Sequence, residues 1–393
     1  MAGSLHIVGN TSSSTEAFAR RTNEISRFVS GIGRQSSELE RNMGPGMRLS
    51  LIRTHPEQRC TEASGPVSRH ILPLSETIGT LNPNNIYRRS DSISSLRENF
   101  APLIREMMEI VKGADVVLLG GTYFVPWCLL QAARALRKPV VLCYAGILSM
   151  EIGHMPDDMQ RTLRIMEKDF YDPDIFYIFP SALTKRTVEG IFGQELGNSE
   201  IIHNGVPLEF LSVDSPPQRR FPVAFIGRNT PVKNPEFLLD LALALGGRHQ
   251  VFMVTKEDEG NRLIRDLRKA GVAVLDPMDT GSLAGFYSET GVVVSPSRFE
   301  TYGNVPLESV SAGTPALVSS SMGVSEVFSM LGLGGYVGHF SDARAVAAHV
   351  ERIISDGERV PEEVRERIRA GLSWPAVISR YLRICVRLAA QCP

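Results

Sequence analysis

The sequence is poor in the features that mark several whole classes of protein. Its five cysteines, Cys60, Cys128, Cys143, Cys385 and Cys392, are scattered, odd in number and without a Cys-x2-Cys pair. They imply neither a zinc site nor a disulfide framework, and a reducing cytoplasm is the natural compartment. Long apolar runs are lacking as well. The most apolar segment, Val116–Leu130, is broken by Gly120, Gly121 and Pro126 and is short of the roughly 20 residues a membrane span needs. No charged segment leads into an apolar core at the start, so no signal peptide is expected. Charge of one sign is also missing. Lys and Arg number 42 against 43 Asp and Glu, a net charge of −1, which gives no support for a nucleic-acid footprint. What remains is 393 residues with 43% hydrophobic content, enough for two domains with large cores.

The most informative stretch is Ser295–Glu326. Gly291–Val294 before it is apolar and reads as a buried parallel strand. A loop with Glu300 and Gly303 follows, and Pro306 then sits near the first turn of an apolar helix, where a missing N–H costs little. Thr314 and Pro315 stop that helix before the strand Ala316–Val318. In a strand–loop–helix unit of this kind, the amides of Gly303, Asn304 and Val305 and the helix dipole suit a phosphate. Glu300 and Glu308 frame that anion site, and carboxylates accept hydrogen bonds from sugar hydroxyls. The pattern points to a ligand with both phosphates and hydroxyls.

Glu300 and Glu308 stand in a Glu-x7-Glu spacing, with Pro-Ser-Arg-Phe-Glu before the loop, Ser-Ala-Gly-Thr-Pro after it and Met-Gly-Val-Ser-Glu at Met322–Glu326. On these residues the stretch resembles the retaining glycosyltransferases of family 4. The resemblance implies an α/β chain of the GT-B fold, with two Rossmann-like parallel α/β/α domains facing across a cleft. Gly227-Arg228 followed by Lys233 is similar to the family's Gly-Arg-x4-Lys, whose cations lie on the donor diphosphate. Cations there stabilise charge that grows as the diphosphate leaves, Arg as a two-oxygen fork and Lys as a point charge. The resemblance thus assigns Arg228, Lys233 and Glu300 to catalysis. It adds Gly9, Met278, Asp279, Thr301, Tyr302, Gly303, Asn304, Val305 and Glu308 to the donor.

Taken in order, strand and helix patterns alternate, which implies doubly wound parallel sheets. Leu5–Val8 reads as a strand. Glu16 opens an amphipathic helix carrying Phe18, Ile25, Phe28 and Val29, with Arg20, Arg21 and Arg27 on a solvated or lipid-touching face. Met47–Thr54 is the next strand. His55–Asp91 is poorly periodic, with one short strand at His70–Leu72 in long loops. Ser92–Lys112 reads as a single helix. Strands at Ala114–Leu119, Pro139–Cys143 and Ile175–Phe179 follow, with helices at Met155–Phe170 and Ala182–Phe192. Asn204-Gly205-Val206 resembles the family's close of the first domain. The expected division is a first domain over 1–208, a linker over 209–220 and a second domain over 221–375. A last helix, 376–393, returns to complete the first. In the second domain Asn234 is expected to cap a helix with Pro235 at its first position. Asp279 either accepts from a guanine edge or caps the helix that begins near Ser282.

On the acceptor side the resemblance suggests Asn10, Thr11, Gly121, Tyr144 and His154. One departure stands out. The family's His-Gly after the strand equivalent to Pro139–Cys143 is Ala145-Gly146 here, so no side chain at that position can donate to the donor sugar. His154 lies downstream as a replacement or as an ordinary surface or core histidine. The implied reaction moves a sugar from UDP or GDP to a small-molecule acceptor with retention. It needs no metal and no other cofactor, and closure of the domains excludes water. A specialised, secondary-metabolic acceptor fits the unusual first domain. The rivals are a membrane-surface enzyme with a lipid-linked acceptor, a nucleotide-sugar epimerase and a non-catalytic nucleotide-sugar-binding protein. Nothing fixes the oligomeric state.

Overall fold

The computed structural model describes residues 5–11, 31–55, 57–74, 83–153, 155–214, 216, 218–256 and 261–391. The helix expected from Glu16 to Val29 and the candidate His154 lie outside them. Contacts divide the chain into two units, one over 1–180, 184–202 and 378–393, the other over 181–183 and 203–377.

The first unit holds β1 (His6–Asn10), β2 (Arg48–His55), β3 (Cys60–Ser64), β4 (Val67–Pro73), β5 (Val116–Gly120), β6 (Val140–Cys143), β7 (Phe176–Phe179) and β8 (Ser199–Ile201). They form one sheet in the order β3-β4-β2-β1-β5-β6-β7-β8. Every neighbour pair is parallel except β3–β4. β5, β6 and β7 are buried throughout, the mark of strands covered on both faces. The helix Trp374–Ala389 lies with this unit from Ile378 onward. There Arg380 donates to Glu200 Oε1 at 2.6 Å and to the Ile201 carbonyl at 3.1 Å.

Two readings of this unit need correction. His55–Asp91 contains a hairpin and a helix, not one strand in loops. β4 runs seven residues beside β2, and β3 pairs antiparallel with it through a turn at Gly65, whose φ is +58°. β3 is exposed along almost its whole length, so it has no apolar alternation to betray it. The helix read over Ser92–Lys112 is two, Ile93–Asn99 and Ala101–Val111. Phe100 leaves helical geometry between them, at φ −96° and ψ 4°, because Pro102 lacks the N–H and the space to continue the first helix.

The second unit holds β9 (Phe221–Ile226), β10 (Val251–Val254), β11 (Ala273–Leu275), β12 (Thr290–Ser295), β13 (Ala316–Ser319) and β14 (Val337–Gly338). Their order is β11-β10-β9-β12-β13-β14, all parallel. Successive residues of β9 serve opposite cores. Val223 and Phe225 pack with Leu238, Leu241 and Val350, while Ala224 and Ile226 pack with Phe210, Tyr287 and Phe328. The boundary differs from the expected linker, since Phe210 and Leu211 are buried in this unit's core. Asn204-Gly205-Val206 also belongs here. The Val206 amide donates to the Leu372 carbonyl at 2.8 Å, and Trp374 N–H donates back to Val206 at 3.2 Å. A Cβ on Gly205 would lie 2.6 Å from the Trp374 ring, so only glycine fits.

Among the described residues no helix is long and apolar enough to cross a membrane. A sharper test of packing lies at Gly291 in β12, where an added Cβ would meet the Pro222 carbonyl oxygen of β9 at 2.4 Å. Gly291→Ala should cost about 1–3 kcal/mol, because backbone must move to admit it. Gly285→Ala, in the helix Thr280–Ser288 with open space around it, should be neutral or gain up to about 1 kcal/mol. Calorimetric melts of both variants check the contrast.

Candidate active site

In the second unit the chain runs outward from β9 to β11 and then crosses back to β12, so β9 and β12 are neighbours at the reversal point. Ligands in such sheets bind beyond the carboxyl ends of the strands at that point. The loops that leave β9 and β12 carry Arg228, Lys233 and Glu300.

Asn234 joins these two loops. It is not the N-cap expected from the sequence. It ends the 3-10 turn Pro231–Lys233 in a left-handed conformation, φ 54° and ψ 47°, and the following helix begins only at Phe237. Its Nδ2 donates to the Pro296 carbonyl at 3.2 Å, and its Oδ1 accepts from Arg298 at 3.0 Å. The Arg298 amide donates to the Val232 carbonyl at 2.8 Å. Asparagine tolerates the left-handed region better than most residues, and that lets one side chain serve both loops.

The result is an ion pair. Lys233 Nζ lies 2.6 Å from Glu300 Oε2, with side chains only 19% and 15% exposed. The other carboxylate oxygen accepts from Ser297 Oγ at 2.6 Å. The backbone of Glu300 is held as well, by the Ser321 carbonyl at 3.3 Å and the Gly323 amide at 3.0 Å. Arg228 is exposed, and its side chain makes no hydrogen bond or ion pair among the described residues. Lys233, by contrast, is half-buried and paired.

Glu308, on the helix Asn304–Ser311, is 4% exposed and accepts from the buried Tyr287 hydroxyl at 3.1 Å. Gly303 caps that helix at φ 100° and ψ 85°. A Cβ there would sit 2.4 Å from the Met322 methyl, so its glycine answers both a backbone and a packing demand. Asn304 accepts from Asn204 at 3.1 Å, and Val305 packs on the core. Tyr302 is buried and stacked on His203 with centroids 6.0 Å apart. Burial pushes its phenol far above the usual range, so the hydroxyl stays protonated near neutrality. The Thr301 carbonyl accepts from Ser181 at 2.6 Å. Met278 packs on the same core. Asp279 caps its helix, Oδ1 accepting from the Ser282 amide at 2.8 Å and Oδ2 from its hydroxyl at 3.1 Å. Of its two readings, capping is the one observed.

In the first unit the corresponding reversal lies between β1 and β5. Gly9, Asn10, Thr11 and Gly121 gather there. A Cβ on Gly9 would lie 2.9 Å from the Leu118 carbonyl. Asn10 is buried, its Nδ2 donating to the Gly120 carbonyl at 2.9 Å and its Oδ1 accepting from the Gly120 amide at 2.8 Å. It therefore ties the ends of β1 and β5 together with both ends of its amide. The Thr11 carbonyl accepts from the Tyr123 hydroxyl at 3.0 Å, and the Gly121 amide donates to Cys143 at 2.9 Å. Tyr144 stacks on Phe179 at 5.1 Å, is 2% exposed, and burial holds its phenol protonated.

Sequence reasoning did not assign Ser297, Tyr287 or the bridging role of Asn234. Ser297 lies within Pro-Ser-Arg-Phe-Glu, three positions before Glu300, so a signal was present. Tyr287 had none, because it reads as an aromatic in an apolar helix. The ion pair makes a prediction. Lys233→Ala should destabilise the protein by about 1–3 kcal/mol, because Glu300 loses its counter-charge where water screens poorly. Arg228→Ala, at an exposed position, should shift the melt by less than about 0.5 kcal/mol. Thermal melts at constant pH check both.

Residues 212–371 match the family described as glycosyl transferases group 1. An uncharacterized glycosyltransferase of Methanocaldococcus jannaschii is 26% identical over 273 residues, 63% of this chain and 69% of that one. D-inositol 3-phosphate glycosyltransferase 1 of Catenulispora acidiphila is 26% identical over 221 residues, 49% of this chain and about half, 53%, of its own length. Among solved structures, a sucrose-phosphate synthase from Thermosynechococcus elongatus superposes with a TM-score of 0.73 at 17% identity, covering 98% of this chain and 100% of that one. A glycosyltransferase from Rickettsia africae gives 0.66 at 14% identity, covering 98% of each. The chain is thus a transferase enzyme of the glycosyltransferase type, with a glycosyl transferases group 1 domain set in a GT-B fold.

Proposed function

We propose that the protein transfers a sugar, with retention, from a nucleoside-diphosphate sugar to a small-molecule acceptor and needs no metal. The observation that carries this reading is the Lys233–Glu300 pair at 2.6 Å on the two loops of the reversal point, with Arg228 on the same β9 loop. A cation beside a carboxylate suits a ligand that presents a diphosphate next to sugar hydroxyls. On this reading the diphosphate draws Lys233 and Arg228, and Glu300 turns to the sugar hydroxyls. Glu308 takes the ribose hydroxyls, and the amides of Gly303, Asn304 and Val305 add to the anion site.

Charge on the diphosphate increases as the glycosidic bond breaks, and the cations counter it in place of a divalent ion. The acceptor hydroxyl attacks the anomeric carbon from the face the diphosphate leaves, and its proton goes to the departing phosphate oxygen. Uridine is the favoured base, and Asp279 serves as the helix cap, its two oxygens accepting from Ser282. Two structures similar to this chain are described with UDP or with UDP-2-fluoro glucose, which supports the same choice. The scattered cysteines favour a cytoplasmic setting, and the unusual first domain favours a specialised acceptor, as in secondary metabolism.

Incubation with a panel of nucleotide sugars tests the class. Nucleotide release that depends on an acceptor supports transfer; epimerised donor without acceptor, or binding without turnover, refutes it. Activity should survive EDTA, and loss restored by magnesium or manganese would contradict the cation roles. Lys233→Ala should lower kcat roughly a hundredfold and raise the donor KM less, since its benefit is larger in the transition state. Glu308→Ala should weaken free nucleotide by about 1–3 kcal/mol in calorimetry.

A further inference from the structure

We propose that Ser297 is a positioning residue for the transfer reaction, holding Glu300 in the orientation that meets the donor sugar. The inference rests on the glycosyl-transfer reading above and adds a residue to it. Ser297 follows β12 and is 2% exposed, and its hydroxyl donates to Glu300 Oε1 at 2.6 Å. Lys233 occupies Oε2 at the same distance. The two oxygens of one carboxylate therefore have different partners, and those partners differ in what a donor does to them. A diphosphate competes with Glu300 for the Lys233 ammonium, because both are anions and lysine is a mobile point charge. It does not compete for a buried serine hydroxyl that already donates to a carboxylate. Once Lys233 turns to phosphate, Oε2 is released to accept from the sugar, and Ser297 still fixes Oε1. Without Ser297 the carboxylate would lose its remaining side-chain anchor at the moment of use, and the reacting geometry would spread over more rotamers.

Steady-state kinetics of Ser297→Ala and Ser297→Thr, with thermal melts and calorimetric titration of UDP, test this role. Ser297→Ala should lower kcat about ten- to a hundredfold, the usual range for a hydrogen bond to a charged group. The UDP affinity should stay within about twofold, because UDP carries no sugar for Glu300 to hold. Ser297→Thr keeps the hydroxyl and should recover most of kcat. A Ser297→Ala protein with wild-type kcat overturns the role while the transfer reading stands. So does a loss shared equally by kcat, UDP affinity and melting midpoint, which would mark a structural residue. Wild-type protein that releases nucleotide from no sugar donor overturns the transfer reading and this role with it.

Discussion

The second unit depends on one adjacency, that of β9 and β12. The two strands pair in parallel, Val223 against Val292 and Ala224 against Val293. That register requires Gly291, since no Cβ fits against the Pro222 carbonyl oxygen. Because β9 sends the chain one way and β12 resumes it on the other side, their loops emerge together with no helix between them. Lys233 and Glu300 are far apart in sequence, and this register brings their loops together, where the two side chains meet at 2.6 Å.

Buried amides and hydroxyls then fix what the strands only bring near. Asn234 bridges the loops after β9 and β12, and Asn10 joins the ends of β1 and β5. Hydroxyls hold the two glutamates, Ser297 on Glu300 and Tyr287 on Glu308. A partly buried carboxylate without such partners would swing toward solvent. With them it stays oriented, the arrangement in which it can accept from a ligand.

Lys233 shows how stability and the proposed chemistry meet. Its pairing with Glu300 satisfies two charges that would otherwise lie half-buried and alone. The same pairing keeps the cation within reach of the place where the diphosphate is proposed to lie. Sites of this kind depart from the plain rule that charges stay on the surface, and neighbouring bonds offset the departure. Ser297, Asn234 and the backbone bonds of Glu300 are those neighbours here.

Much of this was legible in the linear chain. Buried parallel strands announce themselves as unbroken apolar runs, so Phe221–Ile226 and Thr290–Ser295 are readable from composition, and glycine with flanking glutamates marks the loop at Gly303. Helix capping by Asp279 is local and equally readable. The edge strand Cys60–Ser64 was not, because an exposed strand has no apolar face and its pairing lies on another segment. Nor was the break at Phe100, where a proline two residues on outweighs an otherwise continuous apolar stripe. By itself the sequence determined which residue types could bind phosphate and sugar, since charge and hydrogen-bonding capacity belong to the side chain. Only the tertiary structure decided that Lys233 meets Glu300, that Ser297 and Tyr287 hold the glutamates, and that Asn234 links loops instead of capping a helix. Those partners are set by strand order and register, which local propensity does not encode.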